Sequence, residues 1–303
     1  MCISFYLPSK TNPMKKILLF IIIILLVLPA SNAQETSILW QINGNGITKP
    51  SYLFGSLKFI GEKEYYLPKE VKEKIKISSL FAIEDEVNHH AQHELNAALH
   101  FPKGETLATH LSADDYNKVV TFFNTEFKIS KKEFESKYAN LKPLTISISM
   151  TRLALGEKVK FYDIELLKFA KKNKIKAYSL EGIEREAEAL NKFSIPVQTV
   201  ALLHSVTNFD KQKTEYQKLM ADYPQGRLEE IFEFTLHPLE NNSEFINEFY
   251  YKRNEEWLPK IESMVAKDVA FISVGVAHLE GERGLLNLLK QKGYILTPIA
   301  VTK

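Results

Sequence analysis

Apolar and polar residues alternate at Ile38, Trp40 and Ile42, the tetrapeptide Asn43-Gly44-Asn45-Gly46 follows, and an apolar run resumes at Tyr52-Leu53-Phe54. A period of two on both sides of a turn-forming stretch predicts a pair of antiparallel strands. Four further apolar runs, at residues 80–83, 177–180, 269–274 and 294–300, have strand length and are bounded by charge, Gly or Pro. Between the third and fourth predicted strands, and again between the fourth and fifth, the pattern turns helical for long stretches. Ser112 with Asp115, and Ser130 with Glu133, have capping-box spacing. Asp163 precedes an amphipathic face of Leu166, Leu167, Phe169 and Ala170, and reads as a helix cap. Lys171, Lys172 and Lys174 sit where the dipole's negative end favours cations. The expected fold is α/β: a central mixed β-sheet with flanking helices, the first strands an antiparallel pair and the middle segment long and helical.

The first 33 residues change the picture of where the chain works. They contain no acid, and they place Lys15 and Lys16 ahead of an apolar run from Ile17 to Leu28, then Pro29 and Ser31-Asn32-Ala33. These are the basic region, apolar region and small-residue cleavage site of a secretory signal. An apolar run of about 12 residues is short for a bilayer, which takes roughly 20. Residues 1–33 are therefore expected to be a signal peptide, with an uncleaved anchor as the other reading. Residues 34–303 are expected to form a single exported domain, periplasmic or secreted. The only cysteine, Cys2, lies in the signal, so the remainder can form neither a disulfide nor a thiolate metal site. With Lys10, Lys15 and Lys16 set aside, 36 basic residues face 37 acidic ones. Such a balance gives no electrostatic reason to expect nucleic acid, or a membrane beyond the signal segment, as partner.

Two strand-to-loop junctions look alike. One reads Ser51-Tyr52-Leu53-Phe54-Gly55-Ser56-Leu57-Lys58, the other Ala270-Phe271-Ile272-Ser273-Val274-Gly275-Val276-Ala277-His278. Each is an apolar strand ending in Gly-x-x before a polar residue. Gly55 and Gly275 would let a backbone or a ligand come close. Ligands of open α/β sheets bind beyond strand ends, so the two junctions are expected to share a site. A third strand ends in Glu84-Asp85-Glu86, where acid suits metal ligation or proton transfer, against the plainer reading of a solvated loop carboxylate. Glu181, at another strand end, reads as pocket lining or as a buried structural acid. Arg253 and Asn254 follow Phe245, Phe249 and Tyr250 and are expected late on a helix that stops before Pro259. There an Arg can clamp a carboxylate or carbonyl while Asn donates a hydrogen bond. Glu86, His89, His90 and His93 cluster, and on a helix His89 and His93 would share a face at a spacing that can bind zinc.

The run from Arg253-Asn254-Glu255-Glu256-Trp257-Leu258-Pro259 through Gly275-Val276-Ala277-His278-Leu279-Glu280-Gly281 to Lys292-Gly293-Tyr294 closely resembles the TraB/GumN family, to which the Tiki proteases also belong. Trp40, the strand from Tyr52 to Leu57, Glu84, residues 163–170 and Leu180-Glu181 fall where that family has comparable residues. The resemblance implies a metal-dependent, peptidase-like hydrolase. Its divalent metal (Mn, Co or Zn) would be held through two Gly-x-x-His motifs and an acid. Matched one by one, His278 stands in the second motif, Glu84 is the acid, and Arg253 with Asn254 is the Arg-Asn pair. Lys58 stands where the first motif has histidine. An ammonium group repels a divalent ion and has no lone pair to give it. Three outcomes follow: Lys58 pairs with Glu84 in a metal-free pocket, other ligands retain the metal, or Lys58 is a general base. The alternative function is a non-catalytic protein that keeps the cleft for a peptide or small-molecule ligand, or as a scaffold.

Overall fold

In the computed structural model, a strand from Ser51 to Ser56 is buried at all six positions, as a strand covered on both faces must be. The structure describes residues 36–302 apart from 59, 86–92, 94–95, 157 and 236–242. The expected signal at 1–33, and Glu86, His89 and His90 of the histidine cluster, lie outside the described residues. The strands are β1 (Leu39–Gly44), β2 (Ser51–Ser56), β3 (Ile60–Gly61), β4 (Leu80–Ile83), β5 (Val159–Lys160), β6 (Lys176–Ser179), β7 (Ala270–Gly275) and β8 (Tyr294–Ile299). Six of them form one sheet of order β6-β4-β7-β2-β1-β8, and β3 pairs with β5.

β1 and β2 are the predicted antiparallel pair. Gly44, Asn45 and Gly46 turn the chain between them with φ of 77°, 44° and 78°, a left-handed region that Gly and Asn tolerate best. β8 closes the sheet against β1 with Pro298 opposite Trp40; at a sheet edge the missing N–H of proline can face away from the ladder. The mixed α/β architecture read from the sequence is the one observed.

Helices cover the sheet and build a second apolar cluster. They include α1 (Lys69–Ile77), α2 (Ala113–Phe127), α3 (Lys131–Lys137), α4 (Pro143–Ala154), α5 (Tyr162–Lys172), α6 (Ile183–Asn191), α7 (Ile195–Thr207), α8 (Phe209–Asp222), α9 (Leu228–Thr235), α10 (Lys252–Lys267) and α11 (Leu285–Gln291). Ser112 and Ser130 cap α2 and α3, accepting from the Asp115 and Glu133 N–H groups at 3.1 and 3.3 Å. The sheet core stacks Phe81 on Phe271, with ring centroids 6.0 Å apart, and buries Trp257 and Ile261 of α10. Phe123, Phe134, Ile146, Met150 and Leu202 form another core, among α2, α3, α4 and α7.

Two placements differ from expectation. Asp163 lies in the first turn of α5, whose cap position is Phe161, and makes no cap bond. Arg253 and Asn254 begin α10 instead of ending a helix, and Pro259 lies inside it. One turn of π-helix, Asn247–Tyr251, leads directly into α10. A proline in a helix removes one N–H but does not end every helix, so here it misplaced the boundary.

Four strands, β6, β4, β7 and β2, run parallel. Ser56 pairs with Gly275 and Ile83 with Ser179, so their carboxyl ends are level. Pairing continues past the strands, from the Glu181 N–H to the Glu84 carbonyl at 2.9 Å. Lys58, Glu84, Glu181 and His278 all leave this one edge of the sheet.

Gly55 is required by packing. Its φ is not in the left-handed region, but a methyl group there would lie 2.7 Å from Leu279 Cδ1 and 3.0 Å from Val276 Cα. The close approach is that of the loop carrying His278, not of a ligand as its place in the motif suggested. Gly55→Ala should therefore destabilise the protein by about 1–3 kcal/mol. Thermal unfolding checks this, with a fall of about 2–4 °C expected per kcal/mol; an unchanged melting temperature would contradict the packing.

Candidate functional site

A buried guanidinium organises the strand ends. Arg253, 1% exposed, donates from Nε and Nη2 to Glu181 Oε1 at 3.0 and 2.8 Å, and from Nη2 to Glu84 Oε2 at 3.1 Å. Its Nη1 donates to the Phe249 carbonyl of the π turn at 3.1 Å. Trp257 lies one helical turn further along α10. It places its ring 4.8 Å from the guanidinium carbon and donates its indole N–H to Glu181 Oε2 at 2.7 Å. Burial alone would lower the pKa of Arg253; Glu84 and Glu181 outweigh it and hold it above the ordinary value.

Asn254 fixes the state of His278. Its Nδ2 donates to the carbonyls of His278 and Arg283 at 3.2 and 2.9 Å, so its Oδ1 must be the acceptor facing His278 Nδ1 at 2.7 Å. The imidazole therefore carries its proton on Nδ1 and a lone pair on Nε2. Nε2 lies 3.4 Å from Arg253 Nη1 and 3.9 Å from Glu84 Oε1. Burial, then the Arg253 and Lys58 charges, hold the His278 pKa well below its ordinary value, so the ring is neutral.

Across the cleft, Lys58 donates to Glu186 Oε1 of α6, an interaction the sequence did not suggest. Its side chain remains 64% exposed, while that of Glu186 is 5% exposed. Loss of water around Lys58 Nζ opposes the ammonium form, yet Glu186, Asp85 and Glu84 together raise its pKa. Burial would likewise raise Glu186, but Lys58 and then Arg253 hold it down at about 2. Asp85 is pushed up to about 10 by burial and by repulsion from Glu186 and Glu84. Asp163, which accepts from Ser56 Oγ at 3.1 Å, is raised to about 7 by burial and by Glu84.

These groups open onto a cavity of about 600 Å³ whose lining includes Lys58, Glu84, Glu186, Arg253, Gly275 and His278. The helical middle supplies apolar walls, among them Leu144, Ile148, Leu155, Phe161 and Leu190. Gly275 belongs to the site: its N–H donates to Glu84 Oε1, and a methyl group there would come within 3.1 Å of that oxygen. Gly55 and Glu181 stand differently. Gly55 packs beneath the β7 loop, and Glu181, 6% exposed, is the structural acid behind Arg253. Lys58 pairs with Glu186, so the expected Lys58–Glu84 pair is not the one formed; Glu84 goes to Arg253 and Gly275.

Glu186 is a cleft side chain that reading the sequence missed. Its signal was present as a charge on the buried stripe of α6, between Ile183 and Ala189. The expected ligand pair of His278 and Glu84 does not suit a divalent ion in this arrangement. Glu84 already accepts on both oxygens, His278 Nε2 looks towards a guanidinium, and the remaining corner holds an ammonium. Among the described residues no group of three or more His, Cys, Asp or Glu side chains is disposed to hold a metal ion.

A sequence model of the TraB/PrgY/gumN family matches residues 38–298. A curated protein described as a metalloprotease TIKI homolog, from Amphimedon queenslandica, is 23% identical over 333 residues. That alignment covers 90% of this chain and 64% of the relative, so this chain spans a little under two thirds of its length. No solved structure matches.

The raised pKa of Asp163 has a measurable consequence. Between the ordinary carboxylate range and about 7 the folded state holds a proton that the unfolded state has lost, so stability falls as pH rises through that window. Asp163→Asn removes this dependence while keeping an acceptor for Ser56. It should raise the melting temperature at pH 8 and leave it unchanged near pH 4; an equal shift at both would contradict the assignment.

Proposed function

The chain belongs to the TraB/PrgY/gumN family, and from that premise we propose that it is an exported hydrolase that cuts a peptide, or a related carbonyl substrate, in the cavity at the strand ends. One observation carries this reading: a neutral imidazole with its lone pair on Nε2, set beside a carboxylate and two cations, lines a cavity with apolar walls. The similarity to a metalloprotease TIKI homolog supports hydrolysis as the reaction class and peptide as the substrate class.

The chain's own residues supply each role. The Lys58 ammonium, half turned to the cavity, donates to the substrate carbonyl oxygen and stabilises the charge that develops there. His278 Nε2 takes a proton from the attacking water and later returns it to the leaving amine. Glu84, 3.9 Å away, stabilises the transient imidazolium. Arg253 holds Glu84 and His278 at their separation, and Asn254 keeps the imidazole in the tautomer that leaves Nε2 unprotonated. Because the donor set does not suit a divalent ion, no step runs through one. Leu144, Ile148 and Leu155 favour a substrate with an apolar side chain beside the scissile bond, since water leaves both surfaces on binding.

Export rests on the acid-free, Lys-led apolar segment before Ala33. Mass spectrometry of the protein recovered from the periplasm or medium should find an N-terminus at Gln34; recovery of uncut chain from the cytosol alone would contradict export. Activity is tested with a fluorogenic peptide library on purified protein. His278→Ala and Glu84→Gln are each expected to lower kcat/KM by about 10²–10⁴. Turnover equal to that of the unaltered protein in both variants would overturn the reading.

A further inference from the structure

We propose that Arg283 is a positioning residue for His278: its guanidinium clamps the loop after β7 onto the π turn and the start of α10, and so sets the Asn254 amide on which the imidazole tautomer depends. The guanidinium is engaged in three directions. Its Nε and Nη2 donate to Glu255 Oε1 and Oε2, in the first turn of α10, at 2.7 and 2.6 Å, the paired geometry that fixes a guanidinium in plane and direction. Its Nη1 donates to Oδ1 of Asn247, which opens the π turn, at 2.7 Å. The ring of Tyr251, which closes that turn, lies 5.4 Å from the guanidinium carbon. Between those two residues stands Phe249, whose carbonyl accepts from Arg253. One side chain thereby ties the loop that follows His278 to the turn and the helix that carry Arg253 and Asn254.

The backbone of the same residue carries the consequence. The Arg283 carbonyl is one of two that accept from Asn254 Nδ2, at 2.9 Å; the other, that of His278, is more distant at 3.2 Å. With both in place the amide cannot turn over, since its oxygen would then face two carbonyls. Without the guanidinium the loop is free to carry the Arg283 carbonyl away, and the shorter of the two bonds goes with it. A turned Asn254 presents an N–H to His278 Nδ1 where Oδ1 now stands, and the ring answers by moving its proton to Nε2. There the proton faces another donor, Arg253 Nη1, 3.4 Å away. Arg283, Glu255 and Asn247 do not line the cavity, so the clamp acts through Asn254 and not on a bound substrate. The side chains of Arg283 and Glu255 are 33% and 46% exposed. Pairs this open to water add little to overall stability, which separates a positioning role from a structural one. The effect on turnover rests on the hydrolytic reading; the effect on the tautomer does not.

The test is nitrogen-15 NMR of the His278 ring, with peptide-hydrolysis kinetics on the same full-length samples. Arg283→Met keeps the methylenes and removes the guanidinium. It is expected to show a population of rings protonated on Nε2 that the unaltered protein lacks. Its kcat should be about 10–10²-fold lower, with KM within about twofold of the unaltered value and a melting temperature lower by only a few degrees. Glu255→Ala combined with Asn247→Ala removes the acceptors, leaves Arg283 in place and is expected to give the same mixture of tautomers. That second variant decides the matter if Arg283→Met does not fold. If the unaltered protein cuts no peptide, the hydrolytic reading fails and the tautomer still decides this proposal. Mixed tautomers with an unchanged kcat would uphold the clamp and remove His278 from the reaction. A folded Arg283→Met whose ring keeps its proton wholly on Nδ1 would overturn the proposal, whatever its kcat. So would loss of folding in both variants, since the contact would then be a structural one.

Discussion

A guanidinium with 1% of its surface exposed must be neutralised and hydrogen-bonded on every side, because an unpaired buried charge costs several kcal/mol. Arg253 meets that demand only if β4 delivers Glu84, the end of β6 delivers Glu181, and the π turn delivers the Phe249 carbonyl. Those requirements tie three separate parts of the chain to one point. Trp257 adds a ring face on one side and an N–H for Glu181 on the other, so the acid cannot turn away from the arginine. The rest of the cleft is referred to this point: His278 lies against Nη1, Glu84 is held between Arg253 and the Gly275 N–H, and the cavity opens beyond them.

The two halves of the cleft obey different rules. On the Arg253 side, charges are buried, paired and fixed in direction. Across from it, Lys58 is largely exposed while anchored to a carboxylate that is not. Between them the imidazole is neutral and its tautomer is decided by Asn254, whose own amide is oriented by two backbone carbonyls. The sheet contributes all of these through strand ends and the helix that follows them. The helical middle contributes a different thing, an apolar wall, and its own core of Phe123, Phe134 and Leu202 keeps that wall in place without reference to the polar site.

Much of this was legible in the chain. Period-two alternation and the Asn-Gly turn marked the first hairpin, and short apolar runs located β4, β6, β7 and β8 to within a residue or so. The serine caps of α2 and α3 were readable because capping is a local interaction. What was not readable was non-local. Nothing within ten residues of Glu186 says that its partner is Lys58, and Asp163 looked like a cap because a cap and a cleft acid both stand at the start of a helix. Arg253 was misplaced along its helix because Pro259 was read as a stop, whereas α10 accommodates it. The strand-end glycines were identified correctly as positions of close approach, but only the fold decides what approaches: a loop at Gly55, a carboxylate at Gly275.

The Arg253 and Asn254 network holds His278 neutral, with its proton on Nδ1 and an unprotonated Nε2 that faces Arg253 Nη1. Nitrogen-15 NMR of the imidazole measures this directly. The account predicts a protonated Nδ1 and an unprotonated Nε2 that stay unchanged from about pH 5.5 to 8, since the ordinary histidine midpoint of about 6.5 is displaced well downward here. A proton on Nε2, or a ring that titrates near its ordinary value, would contradict it.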